Sequence, residues 1–328
     1  MNDSTNQLQT TTAPGELAGL ELWLPPIVAS TGPDAPERFL EFFTVTIRNK
    51  NTRRAYARQV LQFLTWCEAR GIPDLAAVRP MQVAGYIESM PAQPQTVKQA
   101  LAAIRMLYDW LVVGQVVPTN PAGSVRGPKY SIKKGKTPVL SREDARALLD
   151  SIDAGHVVGL RDRALIALMV YSFGRVGAVT GLQVADYYQN GKRYWIRLHE
   201  KGGKFHEVPV HHTAEEYIDA YLDAAGIRSE LKTPLFRTTR GRSRTLTGNG
   251  LQEREALFMV KRRAAAAGLP ATICNHTMRA TGITAYLENG GTMENAQAIA
   301  AHESPRTTKL YDRRNDLINL DEIERIQL

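Results

Sequence analysis

The sequence predicts a mainly α-helical chain with one small antiparallel sheet, divided into two domains. Three observations predict it. Apolar residues recur at helical spacing through most of 52–113 and again through most of 141–313. One stretch, RYWIRLHEKGGKFHEVPV (193–210), instead reads strand-turn-strand, with Gly202-Gly203 as a two-residue hairpin loop. Between the helical regions, NPAGSVRGPKYSIKKGKTP (120–138) is rich in Pro, Gly, Lys and Arg, as an extended basic linker would be.

Taken in order, residues 1–35 lack periodicity and read as a flexible tail carrying one apolar patch, LELWLPPIV. A helical domain spans 36–125. Its clearest helix is NTRRAYARQVLQFLTWCEARGIP, with Asn51 or Thr52 as cap and Gly71 and Pro73 as stop. Arg54 and Arg58 lie one turn apart on it. Two more helices follow, RPMQVAGYIESM and PQTVKQALAAIRMLYDWLVVG; the second places Val97, Leu101, Ile104, Leu107 and Leu111 on one face. No carboxylate pair, Cys/His cluster or phosphate-cradling Gly loop occurs here, so the domain reads as one that binds. After the linker at 126–138, residues 139–328 form the second domain. It opens with the capping box SRED at 141–144, and helices continue to about 185. Beyond the hairpin, helices are predicted at 213–225, 249–267, 277–289, 292–301, 305–313 and 319–327.

Charge narrows the partner. Residues 1–35 hold four acids and no Lys or Arg, whereas 36–136 hold 15 basic and 6 acidic side chains. A basic N-terminal half is an electrostatic footprint for a polyanion. The longest apolar stretch, ALIALMVYSFG (164–174), is shorter than the roughly 20 residues a bilayer-spanning helix needs. The polar N-terminus has no signal-peptide character, and Cys67 and Cys274 lack metal-ligand spacing. A cytoplasmic protein without disulfides, metal or cofactor is expected.

Four stretches carry residues suited to phosphate chemistry. Arg175, beside Gly174 and Gly177 in YSFGRVGAVTG, sits between two apolar helices, where a charge calls for a counterion or a ligand. His276 and Arg279 in NHTMRATG share a face at a helix N-terminus, a position that favours phosphate. Lys201 stands at the hairpin tip. Tyr311, in AHESPRTTKLYDRR, follows His302 by nine residues, with Ser304-Pro305 starting a short helix. Each has a plain structural alternative: an ion-paired arginine, a solvated lysine, a packed tyrosine ring. His211-His212 read as structural, His199 and His206 as a cross-strand pair, and Cys274 as a small core residue. The run RTTRGRSRT (237–245) reads as a basic loop.

In order and spacing, this set resembles the tyrosine recombinase (phage integrase) family. The resemblance covers most of the chain and implies a SAM-like core-binding domain and a catalytic domain forming a clamp on DNA. It implies Tyr311 as the nucleophile that forms a 3′-phosphotyrosyl bond, with Arg175 and Arg279 on the non-bridging phosphate oxygens. Lys201 would protonate the 5′ leaving oxygen, His276 would accept the tyrosine proton, and His302 would hydrogen-bond the phosphate. DNA contacts are expected from Arg53, Arg54, Arg58, Lys98 and Arg105, from Lys133 and Lys134, and from Arg240, Arg242 and Arg244. Partners implied are double-stranded recombination sites, a dimer on each and a homo-tetramer on two, exchanging strands through a Holliday junction. Accessory DNA-bending or directionality proteins would join them, in a nucleoid-associated setting. Integration or excision of a mobile element is the favoured role. Chromosome-dimer resolution, a type IB topoisomerase-like or telomere-resolving activity, and a DNA-binding protein that does not cut are the alternatives. Two positions depart from the family pattern: Ala178 stands where an acidic residue is common, and Ala301 where Gly precedes the second histidine.

Overall fold

The computed structural model describes residues 24–129, 135–200, 205–241 and 243–312. Lys133, Lys134, Lys201, Arg242, the Gly202-Gly203 turn and the helix read at 319–327 lie outside them. The chain divides into two compact units, Met1–Ser131 and Ile132–Leu328.

The first unit is helical: α1 (Pro26–Ala29), α2 (Ala35–Glu41) with a π-helical turn at Phe42–Thr46, α3 (Lys50–Glu68), α4 (Pro80–Ser89) and α5 (Pro94–Val113). Part of the expected tail is not tail. Ile27, Val28 and Ala35 are buried in the core with Phe63, Leu64, Ile104 and Leu107. The Ile27 N–H donates to Glu68 Oε1 at 3.0 Å and the Leu75 N–H to Thr31 Oγ1 at 2.9 Å. The apolar PPIV segment therefore docks on its own domain, because burying those side chains outweighs ordering a few residues. The cap of α3 also differs from expectation. Asn49, in extended conformation, accepts from the N–H groups of Asn51 and Thr52, which fall inside the first turn and need an acceptor.

The second unit is built on α7 (Val157–Tyr171), a helix whose buried residues run all round it from Gly159 to Met169. It packs against α9 (His212–Ala225) and α11 (Asn275–Glu288), and α6 (Arg142–Asp150) precedes it, capped by Ser141 Oγ accepting from Asp144 N–H. The approach of α11 to α7 is set by Gly282: a Cβ there would stand 1.9 Å from the Val170 carbonyl oxygen. The short α8 (Val176–Thr180) leads into a three-stranded antiparallel sheet, β1 (Tyr187–Asn190), β2 (Arg193–His199) and β3 (Phe205–Pro209), in that spatial order. β1 escaped the sequence reading, being four residues of Tyr, Gln and Asn with no apolar alternation.

A second, two-stranded sheet pairs β4 (Arg237–Thr239), the start of the expected basic loop, with β5 (Leu246–Gly250), just beyond it. Consequently α10 (Glu253–Ala266) begins later than the helix predicted from 249. Glycines at 248 and 250 and the dense arginines hid the strand pattern. Two short helices, α12 (Met293–Ile299) and α13 (Pro305–Lys309), close the described chain. A fully buried carboxylate, Asp162 on α7, accepts from Arg161, Arg262 and Arg263 and ties α7 to α10.

Candidate active site

Arg175 is the N-cap residue of α8, with extended backbone, just beyond the end of α7. The turn before it is pinned locally. Ser172 Oγ donates to the Leu168 carbonyl and accepts from the Gly174 N–H, while Phe173 adopts a left-handed φ of +53°. The Arg175 Nη1 group donates to Glu200 Oε2 at the end of β2. Arg175 is 38% exposed, whereas the Glu200 side chain is only 7% exposed. Arg175 thus has a carboxylate partner and is still partly exposed. Ala178, three residues on, is buried and supplies no charge.

His276 and Arg279 come from the first turns of α11. Arg279 is among the largest fully buried side chains, 2% exposed. Its Nη1 donates to the Phe173 carbonyl and its Nη2 to the Ala300 carbonyl. These carbonyls lie two residues before Arg175 and two before His302, so one guanidinium fastens both segments around itself. Burial, then the Arg175 charge, pushes Arg279 down to about 10, while Tyr311 and Glu200 pull it back up. It remains a cation at neutral pH. His276 is open at the surface, yet partial desolvation, then Arg279 and Arg175, hold it below the usual imidazole value and favour its neutral form.

His302 is delivered by a helix stop. α12 ends in a Schellman motif: the Ala301 N–H donates to the Ala298 carbonyl and the His302 N–H to the Gln297 carbonyl. The residue that must turn left-handed is Ala301, at φ +46°, where glycine would be unstrained. His302 is 6% exposed, and its Nδ1 lies 2.8 Å from the buried Thr308 Oγ1 on α13. Burial, then Arg279 and Arg175, push His302 down to about 4. Ser304 caps α13 and Pro305 opens it, as the sequence suggested. Tyr311 follows: its ring stacks near that of His302, centroids 5.7 Å apart, and its carbonyl accepts from Thr284 Oγ1 on α11. Tyr311 also packs against a small cluster formed by Phe173, Ile283, Leu287, Ala296 and Ala300.

The structure therefore gathers Arg175, His276, Arg279, His302 and Tyr311; Lys201 lies outside the described residues. Two residues of this neighbourhood were not found from sequence, Glu200 and Thr308. Their only sequence signals were adjacency to Lys201 and one α-turn spacing before Tyr311. The expected DNA contacts separate. Arg53 donates to the Ile47 carbonyl and Arg105 to the carbonyls of Ala122 and Val125, and both are partly buried. Arg54, Arg58 and Lys98 are exposed on the first unit, and Arg240 and Arg244 on the second.

Other expectations change. His199 and His206 do not pair across the strands, since His199 opposes Phe205; His199 contacts Asp186 and His206 the Ile299 carbonyl. Cys274 is the half-buried N-cap of α11, not a core residue. His211 caps α9 and stacks on Tyr171. A cleft of about 1260 Å³ in the second unit, between Leu140, Ile166, Tyr171, His211, Met278 and Asn289, includes none of the five gathered residues. Among the described residues no group of three His, Cys, Asp or Glu could hold a metal, and no helix is long and apolar enough to cross a membrane.

Both units resemble known protein families. Residues 138–317 match the phage integrase family, and residues 37–114 match the phage integrase N-terminal SAM-like domain. The tyrosine recombinase XerD of Listeria monocytogenes is 26% identical over 283 residues, covering 85% of this chain and 93% of that protein. The tyrosine recombinase XerC 1 of Ralstonia nicotianae is 31% identical over 295 residues, covering 80% and 83%. Among solved structures, the XerH site-specific recombinase bound to a palindromic difH substrate aligns with a TM-score of 0.64 at 19% identity, over 80% of this chain and 76% of that one. A lambda integrase dimer bound to a COC′ core site aligns with a TM-score of 0.64 at 16% identity, over 87% and 99%. With a SAM-like helical unit, a mainly helical second unit and a matching family model across more than half its length, the chain belongs to the phage integrase family, the tyrosine recombinases, enzymes that cleave and rejoin DNA strands.

Proposed function

We propose that the chain is a site-specific recombinase in which Tyr311 attacks a DNA phosphodiester, forming a 3′-phosphotyrosyl bond and releasing a 5′ hydroxyl. The observation that carries this reading is the buried Arg279 fork, which ties the Arg175 and His302 segments together beside Tyr311. Arg175 and Arg279 bind the non-bridging oxygens and oppose the charge that builds on them. His276, held neutral, accepts the phenol proton; a phenol of ordinary pKa about 10 needs such a base at neutral pH. His302, also neutral, donates a hydrogen bond to the phosphate from the nitrogen that Thr308 does not occupy. Lys201 protonates the leaving oxygen. The phosphotyrosyl bond conserves the energy of the diester, so rejoining needs no nucleotide cofactor.

Lambda integrase has been solved as a dimer on a core site and as a tetramer on a Holliday junction. By that likeness, two copies of this chain occupy each site and four carry out the exchange. Arg54, Arg58, Lys98, Arg240 and Arg244 hold the duplex backbone, which makes affinity steeply salt-dependent. Integration or excision of a mobile element is the role proposed, on the strength of the unusual Ala178. The XerC and XerD names of the relatives favour, as a second reading, the role those proteins play.

The test is covalent capture. Wild-type protein incubated with DNA fragments from its source genome should yield a protein–DNA adduct that survives SDS, and Tyr311→Phe should yield none. Absence of a Tyr311-dependent adduct sinks the assignment. Sequencing the captured DNA separates the two roles, and relaxation of any supercoiled plasmid regardless of sequence would indicate a topoisomerase instead.

A further inference from the structure

We infer that Glu200 is a positioning residue for Arg175, a carboxylate supplied from the sheet to orient a guanidinium that its own helix leaves unsupported. The inference rests on the recombinase reading and adds to it a residue that the reading does not contain.

Three observations carry it. First, α8 offers Arg175 no anion: Ala178, the residue three positions on, is apolar and buried. The carboxylate comes from another element, immediately after β2, and reaches Arg175 Nη1 through Oε2. Second, the contact uses one nitrogen of the fork. Nε and Nη2 of Arg175 have no protein partner among the described residues, and the side chain is 38% exposed. Third, the Glu200 side chain is buried to 7% exposure, and its Oε1 has no hydrogen-bond partner among the described residues. Burying a carboxylate with one oxygen unpaired is unfavourable, which a counterion serving stability alone would not require.

The arrangement has a definite consequence for binding and for rate. A phosphate reaching Arg175 meets a guanidinium already turned toward it, but with a negative charge close behind. Glu200 therefore weakens ground-state attraction for the phosphate while fixing the geometry in which Arg175 acts. The same charge helps Arg279 keep its proton. Its removal should slow strand cleavage without weakening DNA binding, a split that simple loss of folding would not produce.

The test uses full-length protein and a synthetic duplex carrying the sequence recovered from Tyr311-captured DNA, nicked so that cleavage is irreversible. Single-turnover adduct formation should fall about 10- to 100-fold in Glu200→Ala, the range expected when a catalytic group is misplaced by about an ångström. Glu200→Gln keeps an acceptor for Nη1 and should lose less. The dissociation constant should be unchanged or lower in both. Because Glu200 acts through Arg175, the pair Arg175→Ala/Glu200→Ala should be no slower than Arg175→Ala alone. Rates within twofold of wild type in both Glu200 variants, affinity falling in step with rate in the more stable Gln variant, or multiplying defects in the double variant would each overturn the inference. If wild-type protein forms no Tyr311 adduct, the recombinase reading has failed; an adduct that is indifferent to Glu200 defeats the inference alone.

Discussion

The Thr308 hydroxyl and the His302 imidazole meet at 2.8 Å, Oγ1 to Nδ1, with both side chains buried. One nitrogen of the ring is thereby occupied, and the other is left for a partner near Arg279 and Tyr311. When the threonine donates, the free nitrogen carries the proton and can donate to an oxygen of a phosphate. Thr308→Val, nearly the same shape, should lower the rate of Tyr311 adduct formation about 10-fold and destabilise the protein by about 1–2 kcal/mol through the orphaned nitrogen. Thr308→Ser should recover most of both. Measured cleavage rates and urea midpoints decide this; a Val variant as fast as wild type would remove Thr308 from the site.

Ala301 occupies the left-handed position of the Schellman turn that places His302. An L-residue with a Cβ is strained there by about 1 kcal/mol relative to glycine. Ala301→Gly should therefore raise the urea midpoint, corresponding to about 0.5–1 kcal/mol, with the slope unchanged. A lower midpoint would show that the unfolded chain's added freedom outweighs the strain relieved.

Acid should weaken the second unit before carboxylates titrate. His302 is pushed down to about 4 in the folded protein, against about 6.5 when unfolded. Between those values the unfolded chain binds a proton that the native state refuses, so stability falls as pH drops from about 6.5 to about 4 and this contribution levels off below. The loss attributable to this one group is on the order of 3 kcal/mol. Urea unfolding of wild type and His302→Gln across that window should show a shallower pH slope in the variant. Equal slopes would assign the acid sensitivity elsewhere.

Asp162 answers to three arginines with no exposure to solvent. Asp162→Asn leaves buried Arg161 and half-buried Arg263 short of a counterion. It should destabilise the protein by about 3 kcal/mol or more. Thermal denaturation followed by circular dichroism reads this, and a change in melting temperature of less than a few degrees would argue that the arginines re-pair.

The helices were legible in the sequence because burial on one face imposes a 3.6-residue period. α3 and α5 show it in Val60, Phe63 and Leu64 and in Leu101, Ile104 and Leu107, and Ser141 and Ser304 announce helix starts by bonding the N–H groups that follow. The strands at 187–190, 237–239 and 246–250 were not legible. They are short, polar or interrupted by glycine, and only pairing partners elsewhere in the chain make them strands. Local pattern also failed at Pro26–Ala29, where a helix of four residues, too short to show a period, is ordered by the core it covers.

The sequence by itself determined the identity and order of the groups proposed to react, Arg175, His276, Arg279, His302 and Tyr311, because phosphate chemistry draws on few residue types and their spacing is distinctive. Only the tertiary structure decided what holds them. Glu200 reaches Arg175 from 25 residues away, Arg279 spans from Phe173 to Ala300, and Thr308 turns back to His302. These are hydrogen bonds and charge contacts between segments that share no period and no local signal. They exist because packing brings α8 beside β2, α11 onto α7 and α13 beside α12.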